Sequence, residues 1–339
     1  MKKILLRAML LVAAVLAWGA NECKAVEVTL TVDEGMVRPA GLEAAQYNLG
    51  QVLTEINRAQ KANTILTTNG LRMNDFALRS LLRLWSVTPF YCDDEEIVER
   101  CWVFKDGSMM VSHIPLIITP TEENFGVGTY QEAIVEFDPQ GRLTDFRLAL
   151  DAHLSESMEH CGSVVEKERQ MIIMQYLERF RTAYNQKDID FIDQIFSDDA
   201  LIITGKVVTV RPTADNKYMT QKVEYTKQSK EQYIRNLKKA FLRNKWINVK
   251  FSEIGENGEV NGCAGITRST VNRNMYGVRL RQEWTSSSYS DEGYLFLLWE
   301  FPEDGSSPLI HVRTWQPEWV GGKRQKPDDD ISTLGGFNL

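Results

Sequence analysis

Between Tyr276 and Gln316 the chain reads with a period of two, and the segment Tyr294–Phe301 within it is apolar in both phases. Tyr294, Phe296 and Leu298 alternate with Leu295, Leu297, Trp299 and Phe301, and only Glu300 interrupts them. Successive side chains of a strand point to opposite faces, so a strand of this composition has no face that belongs in water. It must lie inside a sheet that is covered on both sides, which rules out an open, half-solvated sheet for this part of the chain.

The neighbouring segments extend that sheet. "KWINVKFSEI", "YGVRLRQEWTSS", "GYLFLLWEF" and "LIHVRTWQ" all read as strands, the last two joined by the hairpin connection "PEDGSSP". Before them the period is helical. In "RQMIIMQYLERFRTAYNQ" the residues Ile173, Leu177, Phe180 and Tyr184 form one stripe. Asn185 to Lys187 break this helix, and a shorter one, "DIDFIDQIF", opens beside Asp188. A strand, "DDALIITGKVV", follows, then Arg211 to Gln228 as an exposed excursion. Ser229 with Gln232 forms a capping-box pattern for a third helix carrying Tyr233, Leu237, Ala240 and Phe241 on one face.

The first part of the chain repeats the change of period with different lengths. Val26–Val32 alternates as a strand. Leu49, Val52, Leu53, Ile56 and Ala59 mark one helix, and a second begins at the N-cap Asn74 and places Leu78, Leu81, Leu82 and Trp85 on one face. Strands then run through "EIVERCWVF", "SMMVSHIPLII" and "EAIVEFDPQGRLTDFRLAL", with turns at Lys105–Gly107 and Pro139–Gly141. The 339 residues are enough for two cores, so the fold expected is α+β in two parts. Residues 26–153 form the first domain, 154–165 a polar linker, 166–320 the second domain and 321–339 a flexible tail. The first domain carries no catalytic motif.

Composition removes several functions. Net charge is −7, with 39 basic against 46 acidic residues, so no field favours nucleic acid. Residues 1–25 have Lys2, Lys3 and Arg7 ahead of an apolar run from Ala8 to Ala20, the pattern of a bacterial secretory leader cut after Ala25. That run is too short to span a bilayer, so the expectation is a periplasmic or secreted protein without a membrane span after cleavage. Cys92, Cys101, Cys161 and Cys263 then remain in a disulfide-permissive compartment. They allow three full pairings, of which the near neighbours Cys92 and Cys101 are the easiest to bring together, against four unpaired thiols. His153, Glu156, Glu159, His160 and Cys161 lie close in sequence, but without fixed spacing on a rigid element they make no metal site, and no cofactor motif is present.

The order helix, short helix, strand, helix, then long antiparallel strands resembles the nuclear transport factor 2-like superfamily. "FRTAYNQKDIDFIDQIFSDDALIITG", Phe180 to Gly205, carries the resemblance, which covers about half the chain, from Glu166 to Glu318. It implies a cone in which a curved sheet wraps the helices, with a pocket on its inner face and a dimer contact or another domain on its outer face. The superfamily includes ketosteroid isomerases, dehydratases and non-catalytic binding modules. The isomerases' base aspartate aligns with Thr204 and their tyrosine with Phe180, neither of which can do that chemistry.

Simple alternation puts Leu309, His311, Arg313 and Trp315 on one face of the last long strand. The ligand-pocket candidates are therefore Tyr184, Trp284, His311, Arg313 and Trp315, with Arg313 to pair an anionic group. The competing reading has His311 and Arg313 satisfied by neighbours such as Glu283 or Glu300. Asp188, Asp190, Asp193, Asp198 and Asp199 read as caps and solvated face. The function expected is an exported, non-catalytic module that engages a small ligand, peptide or partner protein through the cone or the outer sheet, with a homodimer through the sheet as one arrangement. The alternative is a secreted small-molecule enzyme with His311 as acid/base, aided by Arg313 or Tyr184.

Overall fold

The computed structural model describes residues 24–33, 38–118, 129–150, 167–210, 219–252, 254 and 265–337. Residues 1–23 of the expected leader, the expected linker with its histidines, and Cys161 and Cys263 lie outside the described residues.

The first unit contains β1 (Glu27–Thr31), α1 (Leu42–Ala62), α2 (Asp75–Val87), β2 (Phe90–Tyr91), β3 (Glu96–Val103), β4 (Met109–Ile118), β5 (Thr129–Phe137) and β6 (Leu143–Leu148). Its strands pair in the order β1-β3-β4-β5-β6, with β2 on β4. The helices lie on one face because their stripes are apolar. Leu49, Val52, Leu53 and Ile56 of α1 and Leu81, Leu84 and Trp85 of α2 bury against Val111, Ile114, Val135 and Phe146. Asn74 caps α2 by accepting from the Ala77 N–H at 2.8 Å. The turn before β6 needs a left-handed residue that also lets α1 come close. Gly141 supplies both, with φ +74° and no room for a Cβ beside Ala45 N.

The second unit contains α3 (Lys167–Asn185), α4 (Ile189–Ile195), β7 (Phe196–Val210), β8 (Thr220–Ser229), α5 (Lys230–Arg243), β9 (Ile247–Ser252), β10 (Ile266–Arg268), β11 (Met275–Ser286), β12 (Ser290–Glu300) and β13 (Leu309–Pro317). The sheet order is β10-β11-β12-β13-β7-β8, with β9 also on β11. All neighbours are antiparallel except β13 and β7, which are parallel. The helices fill the concave side. Ile173, Leu177, Phe180 and Tyr184 of α3 pack with Leu237 and Phe241 of α5 on Leu280, Leu295, Leu297 and Trp299. The expected capping box at Ser229 and Gln232 is formed.

Two expectations are corrected here. Part of the segment expected as an excursion is the edge strand β8, paired to β7 from Leu201↔Ser229 to Val210↔Thr220. It is largely exposed on both faces, so it shows no alternation to read; its ladder bonds alone make it a strand. The tail is not a free end. After the short hairpin β14 (Trp319–Val320) and β15 (Lys323–Arg324), residues 325–337 fold back over the convex side and form α6 (Asp329–Ser332) and a 3₁₀ turn (Leu334–Phe337). Leu334 and Phe337 pack on Phe296, Leu298 and Val312, and Phe337 stacks on Phe296 with centroids 5.6 Å apart. The Thr314 hydroxyl donates to Ile331 O at 2.6 Å and the Tyr294 hydroxyl to Gln325 O at 2.9 Å. The outer apolar face of β12 is therefore covered by the chain's own end, a role that polar, Gly-containing composition hides.

The units meet where β6 lies beside α3. Leu148 N donates to Thr182 Oγ1 at 3.0 Å, and Gln186 Nε2 reaches Ser80 O at 2.9 Å. Arg181 joins Gln131 and Ala149 O of the first unit to Val249 O of the second.

Candidate functional site

The concave side of the second unit is apolar except at one end, where α3, α5 and three strands converge. Tyr184 arrives there as the last member of the α3 stripe, one turn beyond Phe180, and its ring meets Phe180 edge-on at 4.8 Å. Tyr233, in the first turn of α5, faces it across the cone. The two hydroxyl oxygens are 2.5 Å apart. Burial first, and then the neighbouring Tyr233 oxygen, hold the Tyr184 hydroxyl well above the ordinary tyrosine range, so it stays neutral.

Arg313 enters from β13. Its guanidinium carbon lies 5.2 Å from the centre of the Tyr233 ring, and Nη2 donates to Gln282 Oε1 at 3.3 Å. The residue is 6% exposed. Burial opposes its charge, but the oxygens of Tyr233, Tyr184 and Asp291 outweigh that opposition, and Arg313 stays a cation. Asp291, on β12, pairs across the sheet with Trp284, whose ring meets Tyr184 at 5.7 Å. Burial pushes the Asp291 carboxyl up to about 6, partly offset by the Tyr289 hydroxyl and the charge of Arg313. Trp315 pairs with Leu295 and with Thr204, which places it on the same inner side. Its ring lies where a Cβ on Gly293 would stand, 2.6 Å from Cε2.

Among the described residues, three buried polar atoms of this group have no hydrogen-bond partner: Arg313 Nε, Asp291 Oδ1 and Trp315 Nε1. A buried donor or acceptor left unmet costs on the order of 1–3 kcal/mol, so three along one inner face are an expensive arrangement for packing alone. Chemically the group offers two donors and one titratable acceptor inside an aromatic wall.

His311 is not part of it. Leu298 pairs with Val312 and Trp299 with Ile310, so His311 is an extra residue in β13, a β-bulge. The bulge shifts the phase by one: Ile310, Arg313 and Trp315 face inward, Val312 outward, and the expected alternation of His311 with Arg313 is lost. Opposite the bulge, β7 loops out over Ser197 to Ala200 before it pairs again. His311 Nε2 lies 2.7 Å from Glu300 Oε2 and Nδ1 lies 3.6 Å from Asp199 Oδ1, at the sheet end. Of the five pocket candidates the structure thus gathers Tyr184, Trp284, Arg313 and Trp315, and sets His311 apart. The acidic set is a surface one: Asp188 caps α4 by accepting from Phe191 N, and Asp198 and Asp193 face Lys230.

Asp291, Tyr233 and Gln282 were not among the candidates. Asp291 sits in "SSSYSDEG", which reads as a turn. Extending the inner phase of β12 back from Leu295 through Gly293 reaches it, and that is the signal the sequence contained. Thr204 pairs with Trp315 and Phe180 is buried in the core, so neither supplies an acid or base. Among the described residues no group of three or more His, Cys, Asp or Glu side chains is placed to hold a metal, and no helix is long and apolar enough to cross a membrane.

No family model matches the chain, and no curated protein matches its sequence. Solved structures similar to it include an NTF-2 like protein of unknown function from Shewanella oneidensis MR-1, 14% identical, over 43% of this chain and 98% of that one, with TM-score 0.30. Another is a conserved protein from Planctomyces limnophilus DSM 3776, 13% identical over 45% and 99%, TM-score 0.30. A third is a naphthalene 1,2-dioxygenase with indole in its active site, 8% identical over 52% and 91%, TM-score 0.34. At these scores the likeness carries no weight for function.

Proposed function

We propose that the protein is an exported, non-catalytic binding module whose second unit takes a small polar ligand at the closed end of its cone. The observation that carries this reading is the set of three unmet buried atoms, Arg313 Nε, Asp291 Oδ1 and Trp315 Nε1, on one inner face. A ligand oxygen accepting from Arg313 and Trp315, with a hydroxyl or amine donating to Asp291, meets all three. Tyr184 and Tyr233 touch through their hydroxyls, so the ligand must be small or must part them.

The test is a thermal-shift screen of the purified mature chain against small hydroxy acids, keto acids and sugars, repeated with Arg313→Gln. Ligands that raise Tm for the wild type and not for the variant support the reading. Ligands that stabilise both equally place binding elsewhere.

A second reading has one observation in its favour. Asp291 at about 6 is tuned for proton transfer near neutral pH, so a catalytic version of this module uses Asp291 and not His311. Turnover on a screened ligand that survives His311→Gln and is lost in Asp291→Asn distinguishes it from binding alone.

A further inference from the structure

The two sides of α5 differ sharply in chemistry. Tyr233, Leu237 and Phe241 bury toward the sheet, and the opposite side is exposed and basic. Residues 230–245 carry six basic residues and one acidic one, Glu231 in the first turn, although the whole chain has a net charge of −7. Arg235, Lys239 and Arg243 stand at i, i+4 and i+8 on one ridge, with Lys238 beside them. Like charges at this spacing repel and weaken a helix, and acids four residues away are the usual remedy. Past the first turn that remedy is missing. Among the described residues Arg235, Lys238, Lys239 and Arg243 make no ion pair, and nearby acids meet other cations: Asp193 and Asp198 face Lys230, and Glu224 meets Lys222.

Leu242 stands within this basic side and is 88% exposed, while the adjacent Phe241 is buried. Its neighbours on the helix surface are Lys238 and Lys239, at i−4 and i−3, and Lys245 follows the helix end. The β11–β12 hairpin is fastened to the same end. Lys245 N donates to Ser287 Oγ at 2.9 Å, and Ser288 Oγ donates to Asn244 Oδ1 at 2.6 Å. That hairpin carries Tyr289, 57% exposed. A leucine held in water among unpaired cations, with an amphipathic ring at the same end, is the composition of a helix that lies in the headgroup zone of an anionic bilayer. An acidic protein segment answers the charges alone; a bilayer answers the charges and the leucine together.

We infer that the outer side of α5 is a peripheral docking surface for a bilayer rich in anionic phospholipid, with Arg235, Lys238, Lys239 and Arg243 on the headgroup phosphates and Leu242 inserted below them. Docked this way, the protein holds its cone at the membrane surface. The inference does not rest on the cone reading, since these side chains point away from the core.

The test is co-sedimentation of the purified protein with vesicles of equimolar phosphatidylglycerol and phosphatidylcholine, against vesicles of phosphatidylcholine alone. The expected result is binding to the anionic vesicles only, falling as salt is raised. The pair Lys238→Gln with Lys239→Gln weakens it about thirtyfold, and Leu242→Ser about fivefold. The control pair Arg38→Gln with Lys105→Gln, which removes the same charge from the first unit, and Arg313→Gln, which probes the cone, leave it unchanged. The substituted positions on α5 are exposed, so these variants keep the fold, which circular dichroism verifies. Absence of vesicle binding, equal binding to both vesicle types, or a lysine pair that behaves like the control pair overturns the inference. Soluble polyglutamate bound more tightly than the vesicles, and equally by Leu242→Ser, assigns this side to an acidic protein and overturns the lipid assignment.

Discussion

Arg147 Nε and Glu178 Oε2 meet at 2.9 Å in the seam between the two units, and both side chains are almost sealed from solvent, at 1% and 5% exposure. The contact belongs to a larger cluster, because Arg147 Nη1 also reaches Glu136 at 2.7 Å and Asp145 at 2.8 Å. Burial opposes the charge of Arg147, and the three carboxylates more than compensate. Glu178 has the opposite balance: its burial outweighs the help from Arg147 and its carboxyl is pushed above the ordinary range. Arg179 also reaches Asp145 and Glu136 from α3, so the cluster ties β6 and α3 together through two arginines.

Arg147→Ala leaves buried carboxylates without their cation and is expected to lower stability by about 3–5 kcal/mol, read from urea denaturation of the purified protein. The paired change Arg147→Met with Glu178→Leu recovers part of that loss, because Arg179 still serves Asp145 and Glu136. A single change costing less than the pair contradicts this account.

What the sequence made legible follows from where one face is wet and the other dry. The α3 stripe ending at Tyr184, the caps at Asn74, Asp188 and Ser229, and the two-sided burial of β12 each leave a local period or a cap residue, and each is found in place. Three features left no such trace. His311 is displaced by one residue of bulge, which no alternation announces. β8 is held by backbone bonds, which have no composition. The cover over Phe296 and Leu298 comes from a segment whose two apolar contacts, Leu334 and Phe337, sit among glycines and aspartates. Asp291 lies between these cases: its phase is readable, but the surrounding serines read as a turn.

Because the chain's end supplies the outer cover, ending the chain after Arg324 should expose Phe296, Leu298 and Val312 together. The expected outcome is self-association through that face and dye binding to apolar surface, read by sedimentation against the full-length chain. Phe337→Ala removes one stacked ring and should cost on the order of 1–2 kcal/mol without changing the sedimentation. A truncated chain that behaves like the full-length one shows that the cover contributes nothing.

The easiest disulfide to imagine from the sequence, Cys92 with Cys101, does not form: both are free and buried. Cys92 is tied to α1, where the Asn57 side chain bonds both its N–H, at 2.7 Å, and its carbonyl, at 2.9 Å. Cys101 faces the first core from β3. Burial pushes both thiols up to about 11, so at pH 8 only about one in a thousand is thiolate. Iodoacetamide at pH 8 should spare these two positions in the native protein and label them in denaturant, as mapped by peptide mass. Rapid native labelling of either places it at the surface instead.

Asp291 makes stability depend on pH with a defined sign. Its folded value of about 6 lies above the ordinary 3.8, so between those two values the folded state binds more protons than the unfolded one. Stability from this group is then fully present below about pH 4 and is lost as pH rises through 6, by roughly 2–3 kcal/mol. Asp291→Asn keeps an acceptor for Tyr289 and removes the charge. The variant should be more stable than the wild type at pH 7.5 and should flatten this part of the curve, measured by urea midpoints at pH 5 and 7.5. Equal slopes in the two proteins contradict a buried, raised carboxyl at this position. A ligand whose donor meets Asp291 should shrink the difference between the two proteins, because it stabilises the ionised form that burial penalises.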